Sequence, residues 1–119
     1  MPPSPPDVDD ALVDTLYHLA LRTDWDAHRA EPYTTSTLGH TLAEVGFIHC
    51  SFRHQVRATA ARFYRGLDVV VLTIDPTRLD SPVRVENLDG GDEQFPHLYG
   101  PLSRDAVIAV SSLDSFDDE

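Results

Sequence analysis

The most continuously apolar stretch of the sequence is Val69–Ile74, set between Asp68 and Asp75, and it fits a central β-strand covered on both faces. That single demand fixes much of the rest. A chain of 119 residues builds one packed core and not two, so the other elements must supply both covers. An apolar fraction of 41% and a charged fraction of 24% are those of a globular domain and exclude a disordered or fibrous chain.

Residues 15–21 have strand length and end at Arg22-Thr23-Asp24; in a strand, Leu16, His18 and Ala20 share one face while Tyr17, Leu19 and Leu21 share the other. Thr23 followed by Asp26 fits a helix start, predicting a short helix through Trp25 and His28 that Pro32 ends. Residues 31–45 mix turn formers with Leu38, Leu42 and Val45 and read as a loop with one helical turn. Residues 46–50 form a short strand. Ser51 then caps a helix over 52–65, stopped by Gly66, with Phe52, Val56, Ala60 and Phe63 as its buried stripe. Asp75-Pro76 closes the central strand. Residues 83–87 alternate apolar and polar, Asp89-Gly90-Gly91-Asp92 has the chemistry of a tight reversal into a strand at 95–99, and residues 106–110 give the last strand. Six short strands with two or three short helices make an α+β domain.

The domain is expected over residues 11–113. The segment 1–10, rich in proline and aspartate, reads as a disordered tail, and residues 114–119 as an acidic one. These ends explain the net charge of −11: nine of the 20 acids lie in residues 1–14 and 105–119, where there is no base, and the other 11 face all nine arginines, so residues 15–104 carry −2. Lysine is absent, which excludes a lysine nucleophile. The single cysteine, the proline-rich start without an apolar leader, and the lack of any apolar run near the roughly 20 residues of a membrane span together imply a cytoplasmic protein without a membrane partner.

The histidines carry the functional signal. His18, His49 and His97 fall in strands among apolar residues, whereas His28, His40 and His54 fall in polar contexts. Alternation lets Phe47 with His49, and Phe95 with His97 and Tyr99, line the same cavity as His18. Burying three imidazoles without a task is costly, which favours a site over three satisfied core residues. A zinc site is disfavoured because the helical His-x-x-x-His and Cys-x-x-Cys spacings are missing, so no metal is expected. Cys50 and His49 are consecutive in a strand and point to opposite faces, so Cys50 reads as a small core residue. Amides after Ser51, with Arg53 and Arg57 near that helix end, favour a phosphate, while Arg62 and Arg65 read as a solvated face.

The segments Leu16-Tyr17-His18-Leu19-Ala20, Gly46-Phe47-Ile48-His49-Cys50-Ser51 with Gln55, Ile74-Asp75-Pro76, and Phe95-Pro96-His97-Leu98-Tyr99-Gly100-Pro101-Leu102 together resemble the domain-of-unknown-function 952 family, in order from about Thr15 to Val110. The family's fold is similar to that of ADP-ribosyltransferases and RNA 2′-phosphotransferases, which bind NAD between two small sheets. The resemblance therefore implies an ADP-ribosyltransferase-like split antiparallel sheet and a transferase handling NAD or another ribose-phosphate, with a phosphorylated RNA end as the one nucleic acid in view. By it, His18 and His49 would position ribose hydroxyls, and Ser51 with Arg53 would meet a phosphate. Tyr99 would help to hold the nucleotide. Glu86 or His97 would fill the third motif, stabilising positive charge or acting as acid or base. The competing expectation keeps a nucleotide-like ligand but no turnover, and a third makes the protein an interaction domain. Between Tyr33 and Gly46 the chain departs from its relatives, being longer there and carrying Val45 before Gly46.

Overall fold

The computed structural model describes residues 15–27, 32–37, 40–87, 93–114 and 116. In chain order its elements are β1 (Leu16–Leu21), α1 (Arg22–Asp26), β2 (Thr35–Thr37), β3 (His40–Thr41), α2 (Leu42–Val45), β4 (Ile48–His49), α3 (Val56–Phe63), β5 (Val69–Ile74), β6 (Val83–Glu86), β7 (Phe95–Leu98) and β8 (Val107–Ser112). Short 3₁₀ turns at Arg53–Gln55, Pro76–Arg78 and Arg104–Ala106 join them. The chain is α+β, with three antiparallel sheets among the described residues: β1-β5-β8, β4-β7-β6 and the two-stranded β2-β3.

β5 lies at the centre of its sheet and has a core on each face, as its composition demands. Val70, Leu72 and Ile74 join Leu16, Ala20, Ile48 and Leu98 in the first core. Val69 and Val71 join Tyr17, Leu19, Val56 and Ala60 in the second. The division of β1 into two faces is the expected one, with His18 on the side of Leu16 and Ala20, its ring edge-on to Tyr33 at 5.5 Å. Arg104 ties α1 down from the far end of the chain: it donates to the Trp25 carbonyl at 2.9 Å and lies 4.0 Å from the Trp25 ring.

Several expectations are corrected. The first helix starts at Arg22, and Thr23 lies inside it rather than capping it; Leu21 is the cap residue and offers no side-chain acceptor. Between residues 32 and 45 the expected helical turn is present, but strands take part of the expected loop. The segment holds the β2-β3 hairpin and then α2, whose Thr41 and Glu44 form a reciprocal capping box before Gly46 turns the chain at φ +97°. Ser51 caps nothing. Its backbone pairs with Tyr17, donating at 2.7 Å and accepting at 2.9 Å, and the next turn is held by Gln55, whose side chain accepts from the Phe52 amide at 2.9 Å. Because a 3₁₀ turn occupies 53–55, the helical stripe is phased from Val56, burying Val56, Thr59 and Ala60 and leaving Phe63 39% exposed. α3 ends at Phe63, before the Gly66 turn, β4 is shorter than expected, and β2 and β3 bring the strands among the described residues to eight instead of six.

β8 is an outer strand of its sheet. Thr73 pairs with Ala109 and Ile74 with Val107, so the register slips by one residue and Ile108 faces no partner; Ile108 is 53% exposed. The expected reversal at 89–92 and the tail at 1–10 lie outside the described residues. Within 114–119, Phe116 is buried, edge-on to Tyr17 at 5.3 Å.

Candidate functional site

The second sheet gathers the aromatic residues. β4 and β7 pair His49 with His97, and strand alternation puts Phe47 and Phe95 on the same face. The imidazoles of His49 and His97 lie 5.4 Å apart, Phe95 is 4.8 Å from His49, and Phe47 stacks on His97 at 4.1 Å. Phe47 also approaches Tyr99 at 5.5 Å.

A cleft of about 300 Å³ opens between this face, the β2-β3-α2 segment and α3. Phe47, His49 and Phe95 come from the sheet, and Ser36, His40 and Val45 from the hairpin and α2. Gln55, Ala58, Thr59, Arg62 and Phe63 come from the helical segment, and Glu93 from the approach to β7. Helical spacing explains the α3 wall, since Thr59, Arg62 and Phe63 recur at i, i+3 and i+4. Gln55 is buried and donates to the Gln94 carbonyl at 2.8 Å and to Glu93 at 3.3 Å, fixing one rim to the helix start. A smaller hollow of about 10 Å³ lies beside the cleft and shares His49, Thr59 and Phe63 with it.

Of the residues expected to line the cavity, Phe47, His49 and Phe95 do so, and His49 alone among those given a catalytic or binding role. Side chains from two other elements hold its backbone: its amide donates to the Ser36 hydroxyl at 3.2 Å, and its carbonyl accepts from His18 Nδ1 at 2.7 Å. A carbonyl only accepts, so His18 carries its proton on Nδ1. Burial drives the His18 imidazole down to about 4, against the smaller upward pull of the backbone at His49 and Thr35, and the ring is neutral at ordinary pH. His18 Nε2 and the Tyr33 hydroxyl are buried without a hydrogen bond of normal geometry among the described residues. His18 therefore acts on the cleft through the backbone of His49 and does not line it.

His97 shares the sheet face with His49 but does not line the cleft. Its Nδ1 bonds the Glu86 carboxylate at 2.9 Å, and the same oxygen accepts from the Tyr99 hydroxyl at 2.5 Å. Burial raises the Glu86 carboxyl, but the bonds from Tyr99 and His97 outweigh it and hold the group below the usual carboxylate range. Burial and then Glu86 push the Tyr99 hydroxyl up to about 12. Glu86 and Tyr99 are thus committed to each other and to His97. Arg53 is turned to the opposite side, donating to the Tyr17 hydroxyl at 2.6 Å and lying over the rings of Tyr17 and Phe116. Ser51 lines only the small hollow. Cys50 is a core residue whose thiol burial pushes up to about 12, which keeps it protonated and unreactive.

No group of three or more His, Cys, Asp or Glu side chains suited to a metal ion occurs among the described residues. Likewise, no helix there is long and apolar enough to cross a membrane. Glu93 and Arg62 are cleft residues that the sequence did not single out as such. Only their positions beside Phe95 and one turn after Thr59 connect them to it.

With this geometry in view, the family model described as "Protein of unknown function (DUF952)" matches residues 19–110. The chain belongs to this family. Two crystal structures of protein CC0527 from Caulobacter crescentus, one of them a double mutant, are similar to this DUF952 chain: 32% and 31% identical, each covering 87% of this chain and 90% of the other, each with a TM-score of 0.71. The fold is therefore shared with CC0527. No curated protein matches the chain.

Proposed function

We propose that this DUF952 domain binds a nucleotide-like small molecule in the cleft, with a flat ring against Phe47, Phe95 and Phe63 and a phosphate toward Arg62. The observation that carries the reading is the convergence of three phenyl rings, the His49 imidazole and one guanidinium on a single cleft. Such a lining is what a planar heterocycle with a charged end requires, and stacking of a base on an aromatic ring is worth about 1–3 kcal/mol. At about 300 Å³ the cleft is at the small end of ligand sites, so it encloses the ring and leaves the phosphate at the mouth. Titration calorimetry with adenosine monophosphate, ADP-ribose and NAD tests this. At least one is expected to bind in the micromolar to millimolar range, and Phe95→Ala or Arg62→Ala to weaken it about tenfold, about 1.4 kcal/mol. Absence of binding by all three at millimolar concentration removes the reading.

A second reading adds turnover, with NAD or a ribose-phosphate as substrate in an ADP-ribosyltransferase-like or 2′-phosphotransferase-like reaction. The pair of three-stranded antiparallel sheets supports it, as does Glu93, a carboxylate that lines the cleft with His49. A carboxylate there suits a developing oxocarbenium charge, a role for which Glu86 is poorly placed while it accepts from Tyr99 and His97. In this scheme His18 is a positioning residue for His49. Incubation with NAD, followed by detection of released nicotinamide, is expected to show turnover that Glu93→Gln abolishes. Binding without turnover returns the domain to a sensor or carrier of its ligand.

A further inference from the structure

We propose that the small hollow beside the cleft is a specificity subsite that accepts one hydrogen-bonding atom projecting from the ligand's ring, with Ser51 and Thr59 as the residues that read it. This rests on the ligand reading of the cleft. The hollow shares His49, Thr59 and Phe63 with the cleft, so a ring lying against Phe63 would direct a substituent toward it. Its volume of about 10 Å³ is roughly that of one water-sized sphere. A hydroxyl or a carbonyl oxygen fits; a carboxylate or a phosphate does not.

The wall has chemistry that its neighbours do not use. Ser51 is 2% exposed and Thr59 7%, and neither side chain bonds another described residue. The Ser51 backbone is paired with Tyr17, so the hydroxyl is the polar group this residue has left to offer the hollow. The Tyr64 hydroxyl is different, because it donates to the Leu19 carbonyl at 3.2 Å and so closes the wall. Two buried hydroxyls discriminate strongly: a ligand that supplies a partner satisfies them, and an analogue of the same shape without one leaves them unpaired.

Phenol and toluene test this directly, since both have one ring and differ in a hydroxyl against a methyl. In amide-detected NMR titrations of the full chain, phenol is expected to bind at least tenfold more tightly than toluene, with shifts at residues 51 and 59. Thr59→Val keeps the side-chain shape and removes the hydroxyl; it should erase the preference by weakening phenol binding, and Ser51→Ala should reduce it independently. Spectral dispersion confirms that each variant is folded. Equal binding of the two probes, or a preference that survives both substitutions, overturns the subsite and leaves the cleft reading intact. Failure of both probes while adenosine monophosphate binds also overturns the subsite. Failure of all three overturns the subsite and the cleft reading together.

Discussion

His18 is 1% exposed and donates its one proton to a backbone carbonyl, so a second proton must go on a nitrogen that has no hydrogen bond of normal geometry among the described residues. The unfolded chain has no such difficulty and titrates this imidazole near 6.5. Between that value and the folded value of about 4 the unfolded state holds more protons, so acid draws the equilibrium toward it. The His18 contribution is fully present above pH 6.5, falls as the pH drops toward 4 and is gone below that, a loss of about 3 kcal/mol. Urea denaturation at stepped pH should show this fall. His18→Asn keeps an N–H for the His49 carbonyl but has no proton to gain, so its curve should be flatter in the same window. His18→Leu should instead lose about 1–3 kcal/mol at pH 7, because the His49 carbonyl is left buried and unpaired. Equal pH slopes for the wild type and His18→Asn would place the acid sensitivity elsewhere.

At the scale of elements, the side-chain amide of Gln55 links the helical segment to the strand that carries the aromatic wall. It accepts from the Phe52 amide and donates to the Gln94 carbonyl. Gln55→Glu would set an acceptor against that carbonyl and a negative charge against Glu93, and is expected to cost about 1–3 kcal/mol in chemical denaturation while lowering affinity at the cleft. What could be read of the elements beforehand follows from their polarity. β1 and β5 announced themselves through apolar alternation and apolar continuity, and they pair directly, with β5 at the centre of the sheet. β2 and β3 could not, because Thr35, Ser36, His40 and Thr41 carry no apolar period and the hairpin is held by backbone pairing. The stripe of α3 was misphased because the 3₁₀ turn before it consumes three residues at a different pitch, which sends Phe63 to the cleft and Thr59 inward. The same polarity limit hid half of the cleft: His49, Phe47 and Phe95 were legible as strand residues facing one way, but Ser36, His40 and Glu93 join them only through tertiary contacts.

For the molecule as a whole, the two cores on either side of β5 are closed by different parts of the chain, and the second reaches beyond the last strand. Phe116 packs on Tyr17, and the guanidinium of Arg57 donates to its carbonyl. Ending the chain after Asp114 is therefore expected to destabilise it by about 3–5 kcal/mol, the usual cost of removing a buried phenylalanine, and a shift in the denaturation midpoint without a change in slope would measure it. An unchanged midpoint would mean that this end of the chain only decorates the fold. The outer edge of β8 has a different consequence. A straight, greasy strand with an open side is a template on which another molecule can extend the sheet, and repetition of that step makes a fibre. The skipped pairing at Ile108 bends this border out of line, so a second chain offered to it would meet mismatched donors and acceptors after a few residues. Deleting Ile108 would straighten the border, and the shortened chain should form thioflavin-positive aggregates at concentrations where the parent stays dispersed; equal behaviour of the two would show that the bend protects nothing.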